Sequence, residues 1–361
     1  MIRSLSPYYI TTPLEFTPSG GSQQRCEKYT LNIWAWNGDK DFPVSDNSYQ
    51  VTFKNTANSY GSHDINISKM IQDFIEFTPI DTTGISNFDV VDGNNQMWVY
   101  TFVTYNDETT RVAENTELYS LGYSYGDEGK NYQAIPNNIA LTTKVSEYRV
   151  STDGYFILPI YAGEDGDVGT LKVYEENDTV AAFETIVYGS DQSSEGIRYF
   201  WIDMEDVRFG LDYLRVVWKG TTIILRVEDE CKYAPINVMF QNKDGALQSF
   251  SFMKKQVNSL SITDKSFESN RGQASDGFHQ FIRYNVQATE SGTANTGFIK
   301  EAENETITQL ILSERTWIYD GVSMRPINIK DMSKKFKTRL DDRLIDYEIK
   351  YETAYNKINN I

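Results

Sequence analysis

The chain has 361 residues, with 34 Lys plus Arg against 51 Asp plus Glu and a net charge of −17. It is longer than one ordinary domain, so two or three are expected, and a charge of that sign argues against specific nucleic-acid binding because it repels phosphate backbones. The 24 Tyr, 19 Phe and 6 Trp exclude a disordered acidic composition and leave Tyr to spare for contact surfaces.

Residues 1–25 are expected to form an extended arm. Pro7, Pro13, Pro18 and Gly20-Gly21 punctuate them, and they hold no apolar signal-peptide core. A β-sandwich-like domain with a short helix is predicted over 26–140. Its first strand, 28–36 (KYTLNIWAW), alternates, with Tyr29, Leu31, Ile33 and Ala35 on one face and Thr30, Asn32, Trp34 and Trp36 on the other. Asn37-Gly38 marks a turn, 48–54 alternates again, and 97–105 (MWVYTFVTY) reads as a buried strand. The helix, over 69–75, takes Ser68 as its cap, sets Met70, Ile71, Phe74 and Ile75 on one side and is closed by Pro79. Trp34 and Trp36 fit either the core of an adjoining layer or the anchors of a subunit interface.

The turn-rich stretch SYGDEGKNYQAIPNN (124–138) precedes a second domain, 141–234, expected to be an immunoglobulin-like or fibronectin-like sandwich. Its strands are predicted near 145–150, 155–161, 170–175, 181–188, 197–203, 213–218 and 221–228, with turn signals about every ten residues. A third, β-rich domain spans 235–361. It opens with a hairpin about Asp244-Gly245, continues with strands at 256–263 and 278–288, and holds a helix about 297–313, where Ile299, Ala302, Thr306 and Leu310 recur at helical spacing. Two hairpins follow, about Asp320-Gly321 and about Asp341-Asp342. In the second, which joins 334–340 to 343–353, Phe336 faces Tyr347 while Lys337 and Lys335 meet Asp346 and Glu348. Each such pair contributes ~0.2–1 kcal/mol, and together they fix register. The fold class is mainly β: serial immunoglobulin-like sandwiches followed by a β-rich domain with one helix.

Chemistry is hard to find. There is no Gly-rich nucleotide loop, no G-x-S-x-G and no H-E-x-x-H. Cys26, Cys231, His63 and His279 are too scattered for a zinc site. The two thiols suit a reducing compartment, and His279 reads as a strand residue. Acidic clusters at 164–167, 205–206, 228–230 and 341–342 read as solvated turns rather than paired catalytic carboxylates. The first of them offers oxygen atoms for calcium but lacks EF-hand spacing. No catalytic residue, metal or cofactor is expected, and the chain is not read as an enzyme. A basic strip, Lys330, Lys334, Lys335, Lys337, Arg339 and Arg343, stands out against the acidity and suits head-to-tail self-association with an acidic flank. With Trp34 and Trp36 it makes up the candidate subunit interface.

The segments FQNKDGALQSFSF (240–252), NTGFIKEA (295–302), LILSERTWIYDG (310–321) and KTRLDDRLIDYEIKYETAYNKINNI (337–361) resemble a group of virion proteins of tailed phages that infect Bacteroidetes, the crAss-like phages among them. The likeness covers 236–361, with Phe298 where the group's motif has Trp. It implies a structural ring protein of the neck or tail, acting by assembly with itself and with adjacent ring or portal proteins. Genomic DNA would pass non-specifically through the lumen. It also implies a location in the virion after assembly in the host cytoplasm; no membrane partner is expected, because no apolar run reaches transmembrane length. It carries over no catalytic residue. The alternative is a tail fibre or receptor-binding adhesin that recognises host surface glycan.

Overall fold

The computed structural model describes residues 1–361 except 13–14, 17–20, 23, 39, 41–47, 55–62, 83, 107–110, 124–133, 144, 164–168, 189–194, 208–209, 230–231, 270–278, 331–344 and 359–361. The chain is mainly β and has four larger sheets. The first orders its strands Ile2–Arg3, Val112–Ser120, Gln96–Tyr105, Lys28–Trp36 and Ser48–Lys54. The second is Ile139–Ala140, Tyr155–Ala162, Gly196–Asp203 and Val90–Asp92. The third is Glu147–Ser151, Thr221–Glu228, Tyr213–Trp218, Gly169–Glu175 and Phe183–Tyr188. The fourth runs Leu247–Phe252, Ile236–Gln241, Thr316–Tyr319, Met324–Ile329, Ile345–Thr353, Phe281–Ile299 and Gln256–Glu268.

Sequence alternation explains how the sheets stack. In Lys28–Trp36 the predicted apolar face, Tyr29, Leu31, Ile33 and Ala35, is buried in the first sheet's own core. The helix expected over 69–75 is shorter, Ser68–Gln72; its Ile71 and, beyond its end, Ile75 close that core. In the second sheet both faces are apolar. Phe156, Leu158, Phe200 and Ile202 pack against the third sheet, while Ile157, Tyr161, Tyr199 and Trp201 point the other way into a shared core. A strand covered on both faces reads as an unbroken apolar run, as YFILPIY does. The shared core draws on all three predicted domains, through Trp36 and Trp98, Tyr199 and Trp201, and Met239 and Trp317. Val90–Asp92, from the first predicted domain, pairs with Gly196–Asp203 of the second.

Several expectations change in detail. The arm expected over 1–25 is, through its first twelve residues, part of the chain's own body: Ile2–Arg3 runs parallel to Val112–Ser120 and Tyr9–Thr12 pairs with His63–Asn66. Ser68 is not the helix cap. Asn66 Oδ1 accepts the Ser68 N–H at 3.1 Å, and the Ser68 hydroxyl donates to the Ser6 carbonyl at 2.5 Å. The helix about 297–313 is shorter, a 3-10 turn over Glu301–Glu303 leading into Asn304–Leu312. Residues 296–299 belong instead to a strand that bulges between Asn295 and Phe298, with Gly297 at φ 65. Sheet pairing overrides the helical spacing there, and the helix starts where Glu303 Oε2 can accept the Lys300 N–H at 2.9 Å. His279 lies ahead of its strand and is exposed, its carbonyl accepting from Ser269 Oγ at 2.8 Å. The hairpin about Asp341-Asp342 lies outside the described residues. Its second strand, Ile345–Thr353, is paired with Phe281–Ile299 and Met324–Ile329.

Candidate interaction surface

The segment 256–263 and its partner are longer than predicted. Gln256–Glu268 and Phe281–Ile299 form a hairpin whose first strand has thirteen residues, all but the first exposed. The inner part of the second strand, Ser291–Ile299, is held by Ile345–Thr353, so the hairpin is rooted in the fourth sheet and its outer half projects. A bulge between Thr263 and Lys265, with Asn285 at φ 49, divides it. On the sheet side of the bulge Leu260 and Ile262 share a face with Glu290 and Ala288. Beyond it Phe267, Ile282 and Tyr284 occupy the other face, where the Phe267 and Tyr284 rings meet edge-on at 5.8 Å. Phe267 and Phe281 are 49% and 60% exposed. Gln256–Glu268 ends the sheet, so its outer row of N–H and C=O groups has no strand partner among the described residues. A long, open, partly apolar edge invites pairing with another chain.

Charge is divided along the chain in the same sense. Residues 1–234 hold 17 Lys plus Arg against 35 Asp plus Glu, a net −18, while residues 235–361 hold 17 against 16, a net +1. The two hairpin strands themselves carry two bases, Lys265 and Arg283, and three acids, Asp264, Glu268 and Glu290, with Arg283 paired to Asp264 at 2.8 Å. The acidity is thus concentrated in residues 1–234, and residues 235–361 are close to neutral.

Of the interface residues proposed from sequence, Trp36 is buried in the shared core and Trp34 is half-buried, its ring 6.5 Å from Phe102. Trp36 is thus spent inside the chain, in the core of an adjoining layer. Lys330 forms an ion pair with Glu352. Lys334, Lys335, Lys337, Arg339 and Arg343 lie outside the described residues, as do Cys231 and the acidic loop at 164–167. Cys26 is buried, and burial pushes its thiol up, away from reactivity. The motifs that carry the phage resemblance fall on geometry-setting places. Asn242 to Ala246 form a turn, Asn295 to Phe298 the bulge, and in the Asp320-Gly321 turn Asp320 Oδ1 accepts the Val322 and Ser323 N–H groups at 3.1 and 2.8 Å.

A cleft of about 680 Å³ opens between the first and second sheets, lined by Asp73, Glu76, Asp92, Trp98, Glu195 and Arg198. Two of its acids are engaged: Arg198 holds Asp92, and the Tyr161 hydroxyl donates to Glu195. The Trp98 ring, 2% exposed, lies under the Lys40 ammonium at 5.6 Å, so it offers no open face for a sugar to stack on. Among the described residues no group of three His, Cys, Asp or Glu side chains comes together to hold a metal ion, and no helix is long and apolar enough to cross a membrane.

What sequence reasoning missed is the reach of the hairpin. The signal was present in QVNSLSITDKSFE, where Ser and Thr interrupt the apolar alternation so often that neither face can sit in a core. No protein-family model matches the chain, and no curated protein matches it.

Proposed function

We propose that the chain is a structural virion subunit that forms a ring in the neck or tail of a tailed phage and acts by assembling with itself and with adjacent ring or portal proteins. The observation that supports it most is the projecting hairpin with an open, apolar-bearing edge, set in a chain whose charge is split −18 and +1. A lone chain gains nothing from such an arm, whereas a neighbour can pair with its open edge. A contact between unlike faces repeats head to tail and closes into a ring when the rotation permits. The sequence resemblance of 236–361 to phage neck and tail proteins points the same way. An acidic inner wall would repel the genome and let it slide.

Light scattering and negative-stain images of the purified full chain test this reading, together with mass spectrometry of purified particles. Closed rings of many copies, and the chain among the particle's neck or tail proteins, are the expected results. Compact trimers and a reproducible glycan-array hit would favour the adhesin instead.

A further inference from the structure

We propose that Asn37 is a modification site, where the side-chain amide closes on the Gly38 nitrogen and reopens as aspartate or isoaspartate, placing a new negative charge at the mouth of the cleft between the first and second sheets. The reaction needs only this chain and water, and it stands apart from the ring reading. In its first step the Gly38 backbone nitrogen bonds to the Asn37 Cγ, its proton passes through water to the departing amide, and ammonia leaves as the Cγ–Nδ2 bond breaks. Water then adds to one carbonyl of the cyclic imide and cleaves one of its two C–N bonds. One cleavage leaves aspartate in the normal chain. The other leaves isoaspartate, with the main chain running through the side chain. Nothing is oxidised or reduced. The step needs a free N–H after an amide or a neutral carboxyl, and glycine in that place has no side chain to block the approach.

Five Asn-Gly or Asp-Gly steps fall within the described residues: Asn37-Gly38, Asp92-Gly93, Asp153-Gly154, Asp244-Gly245 and Asp320-Gly321. The fold closes four of them. The Gly93, Gly154 and Gly245 N–H groups donate to the carbonyls of Ile197, Ser151 and Asn242 at 2.8, 2.9 and 3.0 Å. Asp92 and Asp244 are in addition held by Arg198 and Arg3. Asp320 accepts the Ser323 and Val322 N–H groups at 2.8 and 3.1 Å, which hold its carboxyl below the usual carboxylate range. It therefore stays ionised, and an ionised carboxylate is a poor target for a nitrogen. Asn37-Gly38 is open on every count. Both residues are exposed, and neither the Asn37 amide nor the Gly38 N–H has a hydrogen-bond partner among the described residues. Gly38 has φ +100, and beyond its chain neighbours no heavy atom lies within 4 Å of where a Cβ would be, so the turn has room to bend toward the imide. The side chain there is an amide, uncharged at any ordinary pH.

The new charge falls where it has neighbours. Asn37 and Gly38 line the cleft of about 680 Å³ with Asp73, Glu76, Asp92 and Glu195, against Arg198. Lys40, three residues on, stands 4.0 Å from Glu195 and 5.6 Å from the Trp98 ring. A carboxylate at position 37 adds to the acids and competes for that ammonium.

The test holds the purified full chain in warm, mildly alkaline buffer, with a parallel sample in urea, and maps both by peptide mass spectrometry and isoaspartyl methyltransferase labelling. In the native sample the Asn37 peptide is expected to gain the mass by which oxygen exceeds NH and to become labelled. A more acidic species should grow on ion exchange, while the four Asp-Gly steps stay unlabelled. Urea opens those steps, so labelling should spread to them there. Asn37→Gln should lose the acidic species, because the longer side chain closes a six-membered imide far more slowly. Asn37 unchanged in the native sample but converted in urea would overturn the proposal, since the turn would then be closed by the fold. So would native labelling at any of the four Asp-Gly steps equal to that at Asn37, or an acidic species undiminished in Asn37→Gln.

Discussion

Two antiparallel pairs in this molecule make opposite use of similar backbones. Tyr155–Ala162 with Gly196–Asp203 is covered on both faces, by the third sheet on one side and the shared core on the other. The outer half of Gln256–Glu268 with Phe281–Ile299 is covered on neither. Both contain aromatic and β-branched residues, so propensity does not separate them. The difference lies in the run. YFILPIY places apolar side chains at consecutive positions and needs two partners, whereas SLSITDKSF spaces them with Ser, Thr and Asp and tolerates water. Energetically, the first pair stabilises the chain by burial, and the outer half of the second buries little.

The contrast breaks most visibly at single aromatic residues. Phe200 is fully buried, and Phe200→Ala is expected to cost ~3–5 kcal/mol of stability from lost burial and a residual cavity. Phe267→Ala on the hairpin should stay within about 0.5 kcal/mol in the isolated chain. Urea denaturation of both variants checks this, and a large loss at Phe267 in a monomeric sample would mean that the hairpin is covered by its own chain.

Next in size is the junction through which the three predicted domains draw on one core. The turn at 242–246 is inserted among the others: Asn242 donates to the Leu141 carbonyl at 2.6 Å, Gln241 to that of Leu121 at 2.6 Å, and Arg3 Nε to Asp244 at 2.8 Å. Gly245 has φ +82, and a Cβ there would sit 2.7 Å from the Leu121 carbonyl carbon and 2.8 Å from the Gly122 nitrogen. Left-handed strain of ~1–2 kcal/mol combines with collision against backbone that has no side chain to swing aside. Gly245→Ala should therefore cost about 2 kcal/mol or more and lower the melting temperature of the whole chain. Loss confined to the C-terminal sheet would show that the domains melt separately.

These two sites also mark how far the sequence can be read. The Asp244-Gly245 hairpin and the strands 213–218 and 221–228 follow from alternation and turn residues, because both are local. That Gly245 lies against Leu121, and that Trp36 and Trp317 belong to one core, depends on contacts between residues far apart in the chain, which periodicity does not encode. The helix boundary at 304 and the extension of the hairpin to Ile299 were masked by one coincidence: Ile299 fits both a helical stripe and a buried strand position. As for the interaction surface, the acid–base asymmetry was legible as a basic strip, but the arm that presents an open edge was visible only once burial was known.

The smallest effects lie at the seam between the middle and C-terminal sheets, where two carboxylates are shifted in opposite directions. Glu303 is buried, with Arg149 Nε 3.8 Å from its Oε1, and burial raises its pKa although Arg149 and the Lys300 N–H oppose the rise. An acid raised on folding binds more protons folded than unfolded in the window above its ordinary value. Stability therefore falls as pH rises through that window. Glu303→Gln should flatten that slope, which denaturation midpoints measured from pH 4 to 8 would reveal; an unchanged slope would count against a raised pKa for Glu303 in the folded chain. Glu147 behaves in reverse. Lys300 Nζ at 2.7 Å and Arg226 Nε at 2.9 Å hold its carboxyl below the usual carboxylate value, Lys300 most of all. Its contribution is present above that value and lost as pH falls through the lowered one. Because both cations are half-exposed, Glu147→Gln should cost only about 0.5 kcal/mol near neutrality, and the loss should shrink in high salt as screening weakens the pairs. If Glu147→Gln instead cost as much as Gly245→Ala, the seam between the sheets would be held by charge rather than by the shared apolar core.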